Sequence, residues 1–263
     1  FPEVSYFLEN MKLLEINDLT VKYGEREVVR KVNFDVEEGK WLMIAGPNGA
    51  GKSTILNAIS RGVPYGGKIR YKGEDIKNMK PALLARHIGV LAQNHMVGYD
   101  YTVQEVVKLG RYAYRQKVLQ EDSGTDRTFV DKALELTGLA ELRHQSVLAL
   151  SGGEVQRTFL AQLFAQDPDL MILDEPANHL DLVYQKQVFE LISEWLKSPG
   201  RAVISVVHDL SLAKKYGSDC ILMNEGSIIS SGSIEDVLTP EKLNNVYNMD
   251  VYDWMRNMLS QWK

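Results

Sequence analysis

Apolar and polar residues alternate along two early stretches, residues 13–21 and 28–36, and a glycine-containing turn follows each stretch. This period of two predicts two antiparallel strands. Residues 41–45, Trp-Leu-Met-Ile-Ala, form a continuous apolar run, which is typical of a strand buried on both faces. A glycine-rich loop and a predicted helix at about residues 53–61 come next. Further short strands are predicted at residues 68–71 and 88–91.

The middle of the chain has a different period. Residues 103–114 and 129–137 carry apolar side chains at helical spacing, and a polar loop, 116–127, separates them. We therefore predict a helical insertion over about residues 94–165. Strands and helices alternate again after it: strands 170–173, 202–207 and 220–224, helices 183–196 and 210–216, a hairpin partner at 226–232 and a short tail helix. This alternation predicts an α/β fold with a mostly parallel sheet, preceded by an N-terminal antiparallel β subdomain.

Composition narrows the class of protein. The chain has 263 residues, 44% apolar and 25% charged, with a net charge of −5. This favours one large globular domain and disfavours a nucleic-acid partner, which would need a strongly basic surface. The single cysteine, Cys220, stands in an apolar run and is expected to fill the core. No apolar run approaches the length of about 20 residues that spans a bilayer, and residues 1–10, which lack the features of a secretory signal, are expected to be an N-terminal extension.

The sequence Gly-Pro-Asn-Gly-Ala-Gly-Lys-Ser-Thr at residues 46–54 fits the phosphate-loop pattern. It follows a predicted buried strand and opens a predicted helix, which is the context that the pattern requires. Glycines allow the backbone amides to face the phosphates, and the helix N-terminus adds positive potential. Lys52 is expected to reach the β- and γ-phosphates of ATP, and Ser53 to ligate Mg²⁺.

Two carboxylates, Asp174 and Glu175, end the apolar run 170–173. Ligands of open α/β sheets bind at the carboxyl ends of strands, so both side chains are expected beside the phosphate loop. Asp174 would hold Mg²⁺ through water. Glu175 would accept a proton from the attacking water or orient it.

The segment Leu-Ser-Gly-Gly-Glu-Val-Gln-Arg at residues 150–157 precedes an apolar helix. Ser151 and Glu154 have the spacing of a capping box. The same helix N-terminus could also serve as a second anion site, and the two interpretations are compatible.

These segments together resemble the ATP-binding cassette family, and the segment 150–157 resembles its signature motif. The resemblance covers about residues 13–251 and implies a P-loop NTPase fold with a single cassette at 11–263, a RecA-like core at 11–93 and 166–263, and a helical subdomain at 94–165. It also implies a head-to-tail dimer of two cassettes. In that dimer Ser151, Gly152 and Gly153 of one subunit would contact the γ-phosphate held by Lys52 of the other.

The resemblance implies further roles. Gln93 resembles the glutamine that senses Mg²⁺ and water, and His208 resembles the switch histidine near the γ-phosphate. Tyr23 resembles the aromatic residue that stacks on adenine, and Asp181 resembles an aspartate at the dimer interface. His87, His95 and His144 match no catalytic position and are expected to be structural or at the surface. The expected site residues are therefore catalytic Glu175, His208, Gln93 and Lys52, metal-binding Ser53, Gln93 and Asp174, and nucleotide-binding Tyr23, Gly46, Pro47, Asn48, Gly49, Ala50, Gly51, Lys52, Ser53, Thr54, Ser151, Gly152, Gly153 and Asp181.

Three functions are possible for such a cassette. It could be the motor of an importer with separate membrane subunits, a soluble ATPase acting on ribosomes or DNA, or an inactive binding module. The intact Lys52, Asp174, Glu175 and His208 argue against an inactive module, and a lone cassette without long heptads argues against the soluble types. We therefore expect an importer subunit on the cytoplasmic face of the membrane, attached to two permease subunits and served by a substrate-binding protein. Residues 101–112 and the tail resemble the iron-chelate, haem and cobalamin group. The alternatives are an ATPase of another importer class and a soluble ATPase of the same family that has no transport role. Residues 94–114, rich in aromatic side chains, are expected to dock on the permease; the alternative is that these side chains fill a small core of the helical insertion itself.

Overall fold

The computed structural model describes residues 12–93, 98, 100–114, 124–178 and 180–262. Within these ranges, ten strands form two sheets. The first is an antiparallel sheet of four strands in the order β2-β1-β4-β5, and the second has six strands in the order β10-β9-β3-β8-β7-β6. The strands are β1 (Lys12–Tyr23), β2 (Arg26–Glu37), β3 (Trp41–Ala45), β4 (Gly66–Tyr71), β5 (Glu74–Asp75), β6 (Ile88–Leu91), β7 (Leu170–Asp174), β8 (Ala202–Val206), β9 (Asp219–Asn224) and β10 (Ser227–Ser233).

The six-stranded sheet is parallel except at its β10 edge, where β10 runs antiparallel to β9. Every residue of β3, β7 and β8 is buried. Successive side chains of a strand point to opposite faces. Leu42 and Ile44 accordingly join one core with the antiparallel sheet, whereas Trp41 and Met43 join a second core with the helices. The predicted parallel sheet and N-terminal antiparallel sheet are confirmed.

Helices lie between several of these strands and after the last one. Over the described residues, no helix combines the length and the apolar character needed to cross a membrane. The helices are α1 (Lys52–Ile59), α2 (Pro81–His87), α3 (Val103–Leu109), α4 (Gly124–Leu136), α5 (Gly152–Gln166), α6 (Leu182–Leu196), α7 (Leu210–Tyr216), α8 (Ile234–Val237), α9 (Pro240–Tyr247) and α10 (Val251–Ser260).

The predicted polar loop 116–127 is wrong at its end, because α4 already begins at Gly124. A contact with a distant part of the chain explains why the helix begins earlier than predicted. Asp126 lies in the first turn of α4, where a carboxylate favours helix formation, and its Oδ1 accepts a hydrogen bond from Arg111 Nε at 2.8 Å. Asp126, one of the polar residues that suggested a loop, therefore stabilises the start of this helix.

The predicted helix 103–114 ends five residues early. The α-helix stops at Leu109, and Tyr112–Tyr114 form a separate 3-10 turn. Gly110, the residue after the helix, lies so close to α5 that a Cβ there would be 2.2 Å from the backbone oxygen of Gln162. Only glycine fits at this crossing, and a helix-favouring side chain is therefore missing where α3 ends.

Short elements were missing from the sequence prediction. Helix α2 and strand β5 were not predicted, and the tail contains α8, α9 and α10 where a single short helix was expected. Pro240 begins α9, and Thr239 caps it by accepting a hydrogen bond from Lys242 N. The division of the chain into a RecA-like core and a helical subdomain stays a prediction.

Candidate active site

The phosphate loop joins the buried strand β3 to helix α1 and depends on glycine at two positions. Gly46 has φ of +141°, and a Cβ there would lie 2.2 Å from the backbone oxygen of Met223. Gly51 has φ of +97° and precedes the first residue of α1. Both conformations are unfavourable for residues with a Cβ. The loop can therefore run close to β9 and still open directly into the helix N-terminus.

Lys52 places a buried cation at the base of this loop. Its side chain is only 6% exposed, and Nζ donates hydrogen bonds to the backbone oxygens of Gly46 at 2.8 Å and Pro47 at 3.0 Å. Burial lowers the pKa of Lys52, and the nearby carboxylates of Glu175 and Asp174 oppose that shift. The ammonium group is thus held within the loop whose amides would surround a phosphate.

Asp174 ends β7 beside the same loop. Ser53 Oγ donates a hydrogen bond to Asp174 Oδ1 at 3.1 Å, so residues 121 positions apart in sequence are brought into contact. Burial raises the pKa of Asp174, the Ser53 hydrogen bond opposes this, and the neighbouring Glu175 raises it further. The alcohol oxygen of Ser53 and the carboxylate of Asp174 are oxygen donors of the kind that suits Mg²⁺.

Glu175 and His208 meet at the carboxyl ends of β7 and β8. His208 Nε2 lies 2.6 Å from Glu175 Oε1, and the amide Nδ2 of Asn178 donates to Oε2 at 2.8 Å. The backbone of Glu175 lies in the left-handed region, with φ of +54°, and its N–H donates to Val206 O at 3.1 Å. Strained backbone of this kind clusters at functional sites.

These groups surround an open cleft of about 630 Å³. Arg26 and Val28 of β2 line it, as do the expected residues Gln93, Glu175 and His208. The phosphate loop contributes Asn48, Gly49, Gly51, Lys52, Ser53 and Thr54. The cleft therefore brings together loop, carboxylate, glutamine and histidine, which the sequence placed far apart.

Tyr23 lies beside the cleft without lining it. It ends β1 opposite Arg26, and side chains of directly paired residues project on the same face of an antiparallel sheet. The Tyr23 side chain is 49% exposed. An exposed aromatic ring next to a cleft-lining arginine is available to a bound base.

The segment Ser151–Gly153 lies at the N-terminus of α5 and is not part of the cleft lining. The predicted capping box is present: Glu154 N donates to Ser151 Oγ at 3.4 Å, and Ser151 N donates to Glu154 Oε2 at 2.8 Å. Hydrogen bonds from Ser151 hold the pKa of Glu154 below its ordinary value. Ser151 and Gly152 are exposed, as is Asp181, which caps α6 by accepting from Tyr184 N at 3.0 Å. The cleft of a single chain is therefore built without these residues.

Comparison with known proteins assigns this arrangement to a family. The family model of the ABC transporter matches residues 29–178, which include the phosphate loop, the Ser151 segment and both carboxylates. This chain belongs to the ABC transporter family. Members of the family are ATPases, and the ABC protein described here is one of them.

Individual relatives align over most of the chain. The ferric enterobactin transport ATP-binding protein FepC of Escherichia coli is 37% identical over 242 residues, covering 92% of this chain and 89% of FepC. The cobalamin import ATP-binding protein BtuD of Halobacterium salinarum strain NRC-1 is 32% identical over 239 residues, covering 90% of this chain and 59% of that longer protein. Among solved structures, an inward-facing ABC transporter assigned to the metal-chelate type matches with a TM-score of 0.78 and 25% identity, over 91% of this chain and 90% of its own.

The remaining histidines and the cysteine of this ABC protein can be compared with expectation. His87 stacks on Tyr71, and its Nδ1 lies 3.0 Å from Asp169 Oδ2, so its structural role is confirmed. His144 is exposed, and His95 lies outside the described residues. Cys220 is fully buried, and burial raises its pKa to about 12, which confirms it as a core residue.

Three residues around the cleft were not singled out from the sequence. Arg26 and Val28 lie two residues apart on one strand, so their side chains point to the same face. That spacing indicates that both line the cleft only once the position of the phosphate loop is known. Asn178 contacts Glu175 from three residues further along the chain. Nothing in the local sequence pattern distinguishes an asparagine that faces a carboxylate from one that faces solvent.

Proposed function

We propose that this ABC protein is the ATP-hydrolysing subunit of an importer and that the cleft around Lys52 is its catalytic site. The observation that carries this proposal is the pair of contacts Ser53–Asp174 and His208–Glu175, which two consecutive carboxylates make at the carboxyl end of β7. Lys52 would bind the β- and γ-phosphates, and Glu175 would accept the proton of the attacking water. Gln93 and His208 would orient that water and the γ-phosphate.

The donor set fits Mg²⁺. Ser53 and Gln93 line the cleft, and Ser53 Oγ lies 3.1 Å from Asp174 Oδ1. Bound there, Mg²⁺ would neutralise charge on the β- and γ-phosphate oxygens. Ser53 would be a direct ligand, Asp174 would bind through water, and the Gln93 amide oxygen would complete the protein's contribution.

A head-to-tail dimer would complete the site. Ser151, Gly152 and Gly153 lie at the N-terminus of a fifteen-residue helix, which favours an anion, and they are exposed or half-buried without lining their own chain's cleft. In the proposed dimer they would contact the γ-phosphate bound by Lys52 of the second copy. Asp181, exposed at the start of α6, would lie at the same interface.

The permease contact is proposed for residues 94–114. Tyr101 and Tyr112 are exposed, and exposed aromatic side chains are enriched among interface anchors. Tyr114, in contrast, donates to Gln166 O at 3.0 Å and packs on Arg111, so it belongs to the fold rather than to an exposed surface. Residues 94–97 and Tyr99 lie outside the described residues. Two permease subunits would hold the ATPase at the cytoplasmic face of the membrane.

The proposed cargo is an iron chelate, haem or cobalamin, delivered by a substrate-binding protein. Support comes from FepC and from the metal-chelate transporter, which align over nearly the whole chain. The alignment with BtuD keeps cobalamin within the same proposal. An ATPase does not contact the cargo, so a permease gene and a metal-chelate-binding protein gene beside this one would support the proposed class, and a sugar- or peptide-binding protein gene there would contradict it.

Glu175→Gln tests the catalytic assignment. The amide keeps the size of the side chain but cannot accept the proton, so we expect turnover to fall by about 10²- to 10⁴-fold while ATP binding persists. Steady-state phosphate release measures the first effect, and light scattering with MgATP should reveal a trapped dimer. Normal turnover of this variant would remove Glu175 from the catalytic role.

A further inference from the structure

Asn178 contacts both the backbone and the side chain of Glu175. Its backbone N–H donates to Glu175 O at 3.1 Å, and its amide Nδ2 donates to Glu175 Oε2 at 2.8 Å. Glu175 itself has φ of +54°, a conformation that a residue with a long side chain rarely adopts. One residue therefore closes the turn that holds Glu175 in this conformation and also contacts its carboxylate.

The carboxylate of Glu175 is held from two elements. His208, which follows β8, lies 2.6 Å from Oε1, while Asn178, in the turn after β7, occupies Oε2. With one partner on each oxygen, rotation of the carboxylate about its last bond would break at least one contact. His208 also lines the cleft, whereas Asn178 does not; all three residues line a second, smaller cavity.

The turn has anchors that do not involve the Asn178 side chain. Gln156 Nε2 of α5 donates to Pro176 O at 3.2 Å, and Glu175 N donates to Val206 O at 3.1 Å. Leu180, just after the turn, packs against Gly153, where a Cβ would lie 3.5 Å from Leu180 Cδ2. Because backbone and neighbouring contacts fix the turn, replacing the Asn178 amide should change the orientation of the carboxylate more than the fold.

We propose that Asn178 is a positioning residue that fixes the orientation of the Glu175 carboxylate toward the attacking water. The proposal rests on the proposed role of Glu175 as the proton acceptor. A neutral amide suits this task, because it donates a hydrogen bond to a carboxylate and neither takes up nor releases a proton. The contribution is to geometry, so it should act on kcat and not on the affinity for ATP.

The test compares Asn178→Ser, Asn178→Ala and Asn178→Asp in the full chain by steady-state ATPase kinetics, ATP binding and thermal melting. Alanine removes one hydrogen bond to a charged group, which corresponds to a loss of about tenfold in kcat. Aspartate places an acceptor against Oε2 and should lower kcat further, by about 100-fold, since like charges repel at this distance. Serine keeps a donor and should recover part of the activity lost in the alanine variant. KM and Kd for ATP should stay within about twofold for all three.

A purely structural role predicts a different order. Aspartate has the shape of asparagine and can make the same turn, so it would then be the mildest change. Asn244→Asp is the charge control, because Asn244 Oδ1 accepts from Val251 N at 3.0 Å in the tail and an aspartate can keep that bond. If Asn178→Asp does not fold, the order of the serine and alanine variants decides.

The Glu175→Gln variant distinguishes failure of the positioning role of Asn178 from failure of the proposed catalytic role of Glu175. If that variant is inactive and Asn178→Asp has wild-type kcat, only the positioning role is overturned. A rise in KM without a fall in kcat overturns it equally. If Glu175→Gln is fully active, the proposed catalytic role itself fails.

Discussion

Arg111 follows α3 and holds three parts of the helical region together. Its Nε donates to Asp126 Oδ1 at 2.8 Å, and Nη1 donates to the backbone oxygen of Ala165 at 3.0 Å. The guanidinium carbon lies 3.8 Å from the ring centroid of Tyr114 and 4.2 Å from that of Phe129. Arg111 is only 6% exposed. Arg111→Ala therefore removes a buried ion pair, a backbone contact at the end of α5 and two cation–π contacts at once.

The expected cost follows from burial. Removing one partner of a buried ion pair typically costs about 3–5 kcal/mol, because the other partner stays desolvated. For a chain of this size each kcal/mol lowers the melting temperature by about 2–4 °C, so the predicted decrease is about 6–20 °C. Arg111→Lys keeps the charge but loses the planar guanidinium group and its stacking on the two rings. The melting temperature of this variant should therefore lie between those of Arg111→Ala and the wild type.

Urea unfolding and thermal melting of the full chain measure these changes. Arg127→Ala is the matched control: the Arg127 side chain is 77% exposed, and its Nε lies 3.8 Å from Asp131 Oδ2. A surface pair of this kind contributes about 0–1 kcal/mol. If Arg111→Ala and Arg127→Ala lower the free energy of unfolding equally, burial of the Arg111 network is not what stabilises this region.

Two further predictions concern the nucleotide. Lys52→Ala should abolish hydrolysis and greatly weaken ATP binding, because it removes the buried cation of the phosphate loop; turnover within about twofold of an exposed control, Lys77→Ala, would contradict the assignment. Tyr23→Ala should weaken ATP binding by about 5- to 150-fold if the ring stacks on adenine, since stacking contributes about 1–3 kcal/mol. Tyr23→Phe should bind ATP normally, because only the ring face is used. Titration with ATP measures both Tyr23 variants, and an alanine variant with unchanged affinity would assign Tyr23 to packing in the β1–β2 hairpin.

The sheet and the phosphate loop could be predicted because their signals are local. A strand buried on both faces must be apolar at every position, as β3 is throughout and β7 is up to its final Asp174. A loop that wraps phosphates needs glycine where the backbone has positive φ, as at Gly46 and Gly51. The proximity of Ser53 and Asp174 could also be predicted from the sequence, because parallel strands place their carboxyl ends along one edge of the sheet.

Helix boundaries in the middle of the chain were less predictable because tertiary contacts set them. Helix α4 begins at Gly124 within a stretch of polar residues, and its Asp126 pairs with Arg111 fifteen positions away. Helix α3 ends at Leu109, next to Gly110, which must be glycine because of the nearby backbone of α5. Periodicity reports which face of a helix is buried, and it carries no information about which backbone lies against that face.

His87 and Asn178 show why the partners of supporting residues cannot be predicted from the sequence, whereas the positions of reacting residues can. A group that touches phosphate must stand at a fixed offset within its loop, so Lys52 and Ser53 are recognisable from spacing alone. A supporting group needs only to reach its partner, and that partner can lie anywhere in the sequence.

The contacts of His87 illustrate this. His87 lies against Asp169, which is 82 positions away in sequence. The Tyr71 hydroxyl and Lys72 Nζ also donate to Asp169, and this cluster joins the antiparallel sheet to the start of β7. Asn178 is close to Glu175 in sequence, but its role depends on a turn that brings its amide back to the carboxylate. The side chains that orient a site are therefore specified by the folded geometry, and substitutions at such positions test that geometry more directly than substitutions within the motifs.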